Sequence, residues 1–188
     1  MGRWQPDAAG RLQQAALELY AESGYEQTTV AEIAERAGLT ERTFFRHFAD
    51  KREVLFRGSG ELQKLIIDAV DAAPPSATPL EATAAGLASA GAIFDARRRP
   101  FSLKRQSVID ANPELQEREL VKLASLGAAL ADALRRRGVQ DQAARLTAEA
   151  GVAVFRIAFE RWVRDDSDRD FEGFVQDGIT ELRTVAAG

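Results

Sequence analysis

An all-α fold with nine helices follows from three features of this sequence. Strong helix formers dominate, with Ala, Leu, Glu and Arg in nearly every segment. Apolar residues recur at three- and four-residue spacing. Capping residues sit at the starts of those apolar periods. Segments rich in Val, Ile and Thr that alternate apolar and polar residues, the mark of half-buried strands, are missing.

The first helix puts Leu12, Ala16, Leu19 and Tyr20 on one face and stops at Gly24. Thr29-Val30-Ala31-Glu32 is a capping box, in which the hydroxyl takes an orphan N–H and the carboxylate reaches back. The short second helix it opens runs to about Ala37, and Gly38 ends it. Thr40 caps a third helix carrying Phe44 and Phe48 one turn apart. Asp50 and Glu53 repeat the capping pattern for a fourth helix, expected to continue through Gly58 and Gly60 to about Ala72. Pro74 and Pro75 break the chain there. Thr78-Pro79-Leu80-Glu81 opens a fifth helix, with proline in the first turn where its missing N–H costs nothing. Arg97-Arg98-Arg99 suits that helix's C-terminal end, since cations complement the negative pole of the macrodipole. A sixth helix is expected over Phe101–Asp110. A seventh runs from Asn112-Pro113 to Gly138, an eighth covers about Asp141–Asp165, and a ninth about Asp170–Val185.

Composition removes several function classes. Cysteine is absent, which excludes a disulfide framework, a thiol nucleophile and thiolate metal ligation. The single histidine, His47, lies in the third helix, and neither a glycine-rich phosphate loop nor metal-ligand spacing is found. Asp165, Asp166 and Asp168 crowd a helix-helix loop and read as solvated turn residues. No catalytic residue, metal or cofactor is therefore expected. Charged residues interrupt every apolar run, and the first ten residues lack the apolar stretch of a signal peptide, so the expectation is a cytoplasmic protein with no membrane partner. The net charge of −4 says little about nucleic acid, because the position of the positive groups decides. Between residues 41 and 57, Arg42, Arg46, Lys51, Arg52 and Arg57 outnumber Glu41, Asp50 and Glu53.

The informative spacing is that of residues 29–51. A short helix with Ile33, Ala34 and Ala37 on one face meets a tight Gly38-Leu39 turn. The next helix turns Phe44 and Phe48 inward. Helices joined by so short a turn cross steeply, leaving the start of the second protruding, in the shape that enters a DNA major groove. The outward side chains are Thr40, Glu41, Arg42, Thr43, Phe45, Arg46 and His47. Thr29 marks a helix start whose free N–H groups suit a phosphate, and Lys51 suits a second phosphate. Each feature has a plainer reading. Arg42 and Arg46 are also what a solvated face carries, Glu41 either accepts from a cytosine amino group or forms a surface pair, and His47 is also compatible with a simple surface residue.

The stretch TTVAEIAERAGLTERTFFRHFADKREVL resembles the DNA-binding region of the TetR family of bacterial transcriptional regulators, over roughly residues 10–57. Thr29, Ile33-Ala34, Ala37-Gly38, Phe48 and Lys51 fall where the family pattern has them. The FFR-x-F variant is similar to an actinobacterial branch. The resemblance implies a TetR-like fold, DNA contacts by the outward residues named above, and a phosphate contact at His47. One position departs from the pattern: the family usually has a phosphate-contacting Tyr where this chain has Phe45, whose ring offers only apolar contact, to a thymine methyl or a sugar.

The remaining helices match the family in length and character. The eighth helix carries Val152, Val154, Phe155, Ile157, Ala158, Phe159, Trp162 and Val163 around nearly its whole circumference, which requires burial on several sides. The resemblance implies a homodimer through the last two helices, with Trp162, Phe171, Phe174, Val175, Gly178, Ile179 and Leu182 as interface candidates. The alternative is a purely intramolecular core. A two-fold dimer places recognition helices about 34–36 Å apart on a palindromic operator. The resemblance also implies a small-molecule effector site, with Phe94, Phe101, Leu103, Val108, Phe155 and Phe159 as lining candidates and Arg105 or Arg156 as polar anchors. The expected division is a DNA-binding domain over 1–57 and a ligand-binding and dimerisation domain over 58–188. Gly58 and Gly60 are either a soft link between them or a place of close helix packing. The expected function is a repressor that leaves its operator when the effector binds. An interaction module with a vestigial helix-turn-helix is the alternative from another class.

Overall fold

The computed structural model describes residues 7–187. Among these residues the chain forms nine α-helices and three short 3-10 segments, without a strand. The helices are α1 (Ala8–Ser23), α2 (Val30–Arg36), α3 (Glu41–His47), α4 (Ser59–Ala72), α5 (Pro79–Ser89), α6 (Arg99–Asp110), α7 (Pro113–Arg136), α8 (Asp141–Arg164) and α9 (Phe171–Ala187). None is long and apolar enough to cross a membrane.

The chain divides into two compact units. One holds the described residues through Arg57 together with Lys104–Glu119, and the other holds Gly58–Leu103 with Leu120 onwards. The first break falls between Arg57 and Gly58. Residues 104–119 nevertheless pack with the N-terminal unit and not with the rest of 58–188, so α6 and α7 each contribute to both units.

In the N-terminal unit, α1, α2 and α3 pack on one another around a closed apolar core. Leu12, Ala16, Ile33, Phe44, Val54 and Leu55 are all essentially inaccessible to solvent. Asp7 caps α1, accepting the Gly10 N–H at 2.9 Å, and itself takes a left-handed backbone (φ 67°). Both sequence-predicted caps of the next two helices are present: Thr29 accepts from Glu32 N–H and Thr40 from Thr43 N–H, each at 3.2 Å.

The second unit buries its core between α4, α5, α7, α8 and α9. The fifth helix is shorter than expected. It ends at Ser89, and two 3-10 turns, Ala90–Ala92 and Ala96–Arg98, lead into α6. Gly91 weakens the helix there, and Asp95 starts a new turn by accepting the Arg98 N–H at 3.0 Å. The fourth helix is also interrupted. Glu53–Phe56 forms a separate 3-10 turn, and Gly58 takes a left-handed φ of 84° before α4 begins. Val54, Leu55 and Phe56 are buried in succession, a demand that one continuous amphipathic helix does not meet. A Cβ at Gly60 would touch nothing within 4 Å, so close helix packing does not explain that glycine.

Where close packing does require a glycine is Gly86, on α5. A Cβ there would lie 2.5 Å from Val70 Cγ2 and 2.9 Å from the Ile66 carbonyl oxygen. Gly86→Ala gains up to about 1 kcal/mol of helix propensity but forces α4 and α5 apart, for an overpacking cost of about 1–3 kcal/mol. A net loss of stability in urea unfolding is expected, and an unchanged midpoint would contradict the close approach.

Candidate nucleic-acid interface

The turn between α2 and α3 is a Schellman closure. Gly38, at φ 65°, donates its N–H to Glu35 O (2.9 Å), and Leu39 donates to Ala34 O (2.8 Å). Arg11 of α1 donates to Ala37 O at 3.1 Å, so a side chain from the first helix also ties down the turn. On α3, Phe44 is fully buried and Phe48 nearly so, their ring centroids 5.5 Å apart. With that face pinned inward, Arg42 and Arg46 point directly away from the core, since they lie two residues to either side of Phe44 on a 100° wheel. Glu41 and Phe45 line one flank, Thr43 and His47 the other.

Exposure agrees with this placement. Glu41, Arg42, Arg46 and His47 are exposed, and the Phe45 ring is 56% exposed, standing edge-on to Phe44 at 5.4 Å. Thr43 is half-buried, and its hydroxyl lies 3.1 Å from the Thr40 hydroxyl. Thr29 and Thr40 spend their hydroxyls on their own helix starts. At Thr29 the Glu32 carboxylate accepts both the backbone N–H and the hydroxyl at 2.8 Å. These bonds, the backbone one foremost, hold the Glu32 carboxyl below its ordinary range. A phosphate approaching that helix start therefore meets an internal anion.

Part of the positive charge of the unit is neutralised within it. Arg52 pairs with Asp50 at 2.8 Å, Arg57 with Asp7 at 2.7 Å, and Arg36 with Glu22 at 2.9 Å. These partners leave the Asp50 and Glu22 carboxyls below their usual range, chiefly through hydrogen bonds from Arg52 and Arg36. Glu53 is taken by Arg118. Among the described residues Arg42 and Arg46 have no ion pair, and both are exposed on the outer face of α3.

Lys51 departs from expectation. Its ammonium donates to the carbonyls of Tyr25 (2.8 Å), Thr28 (3.1 Å) and Glu26 (3.3 Å), and lies 4.3 Å from the Tyr25 ring centroid. With its three N–H groups so engaged, none is left for a phosphate. Tyr20 answers by donating its hydroxyl to Lys51 O at 2.7 Å, and burial pushes that phenol's pKa upward. Sequence reasoning missed this clasp of the α1–α2 loop, because its members lie 23–31 residues apart in the chain.

The effector candidates are only partly brought together. Phe94, Phe155 and Phe159 meet in one aromatic cluster of the second unit. Phe101 is half-buried under Arg98, and Leu103 is exposed. Arg105 and Val108 belong to the first unit, where Arg105 donates to Leu55 O at 2.7 Å and pairs with Glu119 at 3.5 Å. Arg156 is exposed and faces Glu160. Neither arginine thus serves the aromatic cluster as an anchor.

The dimer candidates need a clearer correction. Trp162, Phe171, Phe174, Val175 and Ile179 are buried in their own chain's core, and Leu182 packs against it. Gly178 lies against Val154, where a Cβ would be 2.9 Å from Cγ1. Because α8 packs on α9 and both pack on α5, the stripe read as an interface is consumed internally. The large apolar residues left exposed on these helices are Leu146, Ile157 and Val185.

The all-helical fold and the outward α3 define a helix-turn-helix protein. Residues 12–57 match the family described as bacterial regulatory proteins, tetR family, and residues 77–187 match the MftR C-terminal domain. The chain belongs to the TetR family. A stretch of 72 residues is 42% identical to the HTH-type transcriptional regulator TcmR of Streptomyces glaucescens, covering 38% of this chain and 32% of that protein. Over 173 residues the chain is 28% identical to Mycobacterium tuberculosis MftR, named for the regulation of mycofactocin biosynthesis, covering 89% of this chain and 85% of that one. Two solved structures share the fold. FadR from Bacillus subtilis, in complex with stearoyl-CoA, gives a TM-score of 0.63 at 21% identity and covers 92% of this chain and 96% of its own. Thermus thermophilus FadR, a transcriptional repressor in complex with lauroyl-CoA, gives 0.54 at 23%, with 93% of each chain covered. The family and these relatives are regulators and not enzymes.

Proposed function

We propose that this chain is a cytoplasmic repressor that binds a palindromic operator as a homodimer and releases it when a small molecule binds the second unit. The observation that carries the DNA reading is the pair Arg42 and Arg46, unpaired on the outer face of a helix whose inner face is fixed by Phe44 and Phe48. In this reading Arg42 and Arg46 face base edges, with Glu41, Thr43, Phe45 and His47 flanking them and Thr29 and Thr40 shaping the two helix starts. The test is selection of bound genomic fragments by the purified protein. A preferred fragment is expected, with affinity falling steeply as salt rises. Arg42→Ala should cost about 1–3 kcal/mol on that fragment and relax its specificity. Equal binding to all fragments at micromolar protein would refute the proposal.

The dimer is better served by the outer faces of α8 and α9. Leu146, Ala150, Ala153 and Ile157 follow helical spacing on α8. On α9, Thr180 and Thr184 donate their hydroxyls to Gln176 O and Thr180 O, at 2.9 and 3.1 Å, leaving little unsatisfied polarity. Ile157→Glu is expected to give a monomer in light scattering and to weaken operator binding, while leaving the fold intact because the side chain is 46% exposed. A dimer of unchanged strength would move the interface elsewhere. The left-handed Gly58, at the break between the units, supports the earlier reading of a soft link through which effector binding swings the DNA-binding part.

A further inference from the structure

The second unit holds an aromatic cluster with buried donors that core packing leaves unsatisfied. The Phe94 ring sits among those of Phe171, Phe159, Trp162 and Phe155, at centroid distances of 5.0, 5.2, 5.4 and 6.1 Å. Trp162 and Phe171 are fully buried, whereas Phe94 and Phe159 are half-buried, so the cluster reaches the surface through those two. The four surrounding rings stand on α8 or at the start of α9. Phe94 alone comes from irregular chain, between the 3-10 turns Ala90–Ala92 and Ala96–Arg98.

Two buried donors in this part of the unit lack a partner. The buried indole N–H of Trp162 finds no acceptor among the described residues, and neither does the buried Nε–H of Arg99. The Arg99 guanidinium lies 5.3 Å from the Trp162 ring centroid. Its remaining nitrogens are held by the carbonyls of Asp165, Ser167 and Arg169, and the Asp165 carboxylate stands 3.8 Å away. Unpaired buried donors are rare, and an indole N–H donates only, so the missing partner is an acceptor. Asp165 offsets the charge of Arg99, which favours a neutral acceptor over a carboxylate. Rings at 5–6 Å in tilted and edge-on arrangements suit a planar aromatic molecule.

We propose that this cluster is the effector site, that the Phe94 ring occupies it as an internal stand-in, and that its ligand is a planar aromatic compound bearing a neutral carbonyl. The inference rests on the ligand-controlled reading above and adds the ligand's chemistry and the displaced side chain. The ligand enters as Phe94 swings out on its irregular segment, and its carbonyl takes the N–H of Trp162.

Calorimetric titration of the full chain with 2-acetylnaphthalene, and with 2-isopropylnaphthalene as the isostere lacking an acceptor, tests this. Wild-type protein should bind the acetyl compound about tenfold more tightly, the ratio expected of one buried hydrogen bond. Trp162→Phe should erase the preference while still binding the isopropyl compound. Phe94→Ala should bind both about tenfold more tightly, because no ring has to be displaced. Equal wild-type affinities, no binding of either compound at their solubility limit, or a preference that survives Trp162→Phe would overturn the site. The wild-type comparison decides even if a variant fails to fold. If the acetyl compound binds as expected but leaves DNA affinity unchanged, the effector role falls. If another compound releases specific DNA while neither probe binds, only the present assignment falls.

Discussion

Phe44→Ala is expected to lower the stability of the protein by about 3–5 kcal/mol, the cost of deleting a fully buried aromatic side chain. That is a large part of the 5–15 kcal/mol typical of a folded domain. The ring is the inner anchor of α3, in contact with both Phe45 and Phe48. Its loss frees the helix that carries Arg42 and Arg46, so operator affinity should fall even where the chain remains folded. The adjacent Phe45→Ala is the natural control. Phe45 is mostly exposed, so its removal should change stability by no more than about 0.5 kcal/mol, and any loss should be confined to DNA affinity. Urea unfolding of both variants, beside a titration of the selected fragment, reads the two effects separately. Equal destabilisation by the two substitutions would contradict the inward-outward assignment of α3.

Lys51→Met is expected to be the second-largest effect. Methionine keeps much of the stem over the Tyr25 ring but leaves the carbonyls of Tyr25, Glu26 and Thr28 without their donor. Removing one partner from a part-buried charged hydrogen-bonding group costs about 1–3 kcal/mol. The loop they form leads into α2, so DNA binding should weaken too, through misplacement of the helix-turn-helix. Salt dependence separates this from direct contact. Loss of one phosphate contact reduces the slope of log affinity against log salt by about 0.9, whereas loss of a positioning clasp leaves the slope as it was. A reduced slope with unaltered stability would restore Lys51 to the phosphate backbone.

The sequence made the helix-turn-helix legible because its determinants are local. Thr29 with Glu32, Thr40 with Thr43, and Gly38 at the turn act within three or four residues, where capping and left-handed backbone obey fixed spacings. Phe44 and Phe48 follow from helical period alone. What escaped joins distant parts of the chain: Lys51 to the α1–α2 loop, Arg105 to Leu55 O, Arg118 to Glu53. The dimer stripe failed for a related reason. Apolar periodicity on α8 and α9 shows that a face is buried but not by what, and here α5 and the two helices' own contact supply the cover. The break before α4 was hidden because caps at Asp50 and Glu53 fit either a long helix or a single turn.

The membership of residues 104–119 in the N-terminal unit sets what a graft of that unit must carry. Tyr25 donates to Glu114 at 3.2 Å, Arg105 reaches back to Leu55 O, and Arg118 holds Glu53. A hybrid that grafts residues 1–57 onto another regulator's body strips those groups of their partners at a stroke. Grafting 104–119 along with them keeps the correspondence intact. The N-terminal unit of this protein is thus encoded by two separate stretches of its gene, one ending at residue 57 and the other covering 104–119.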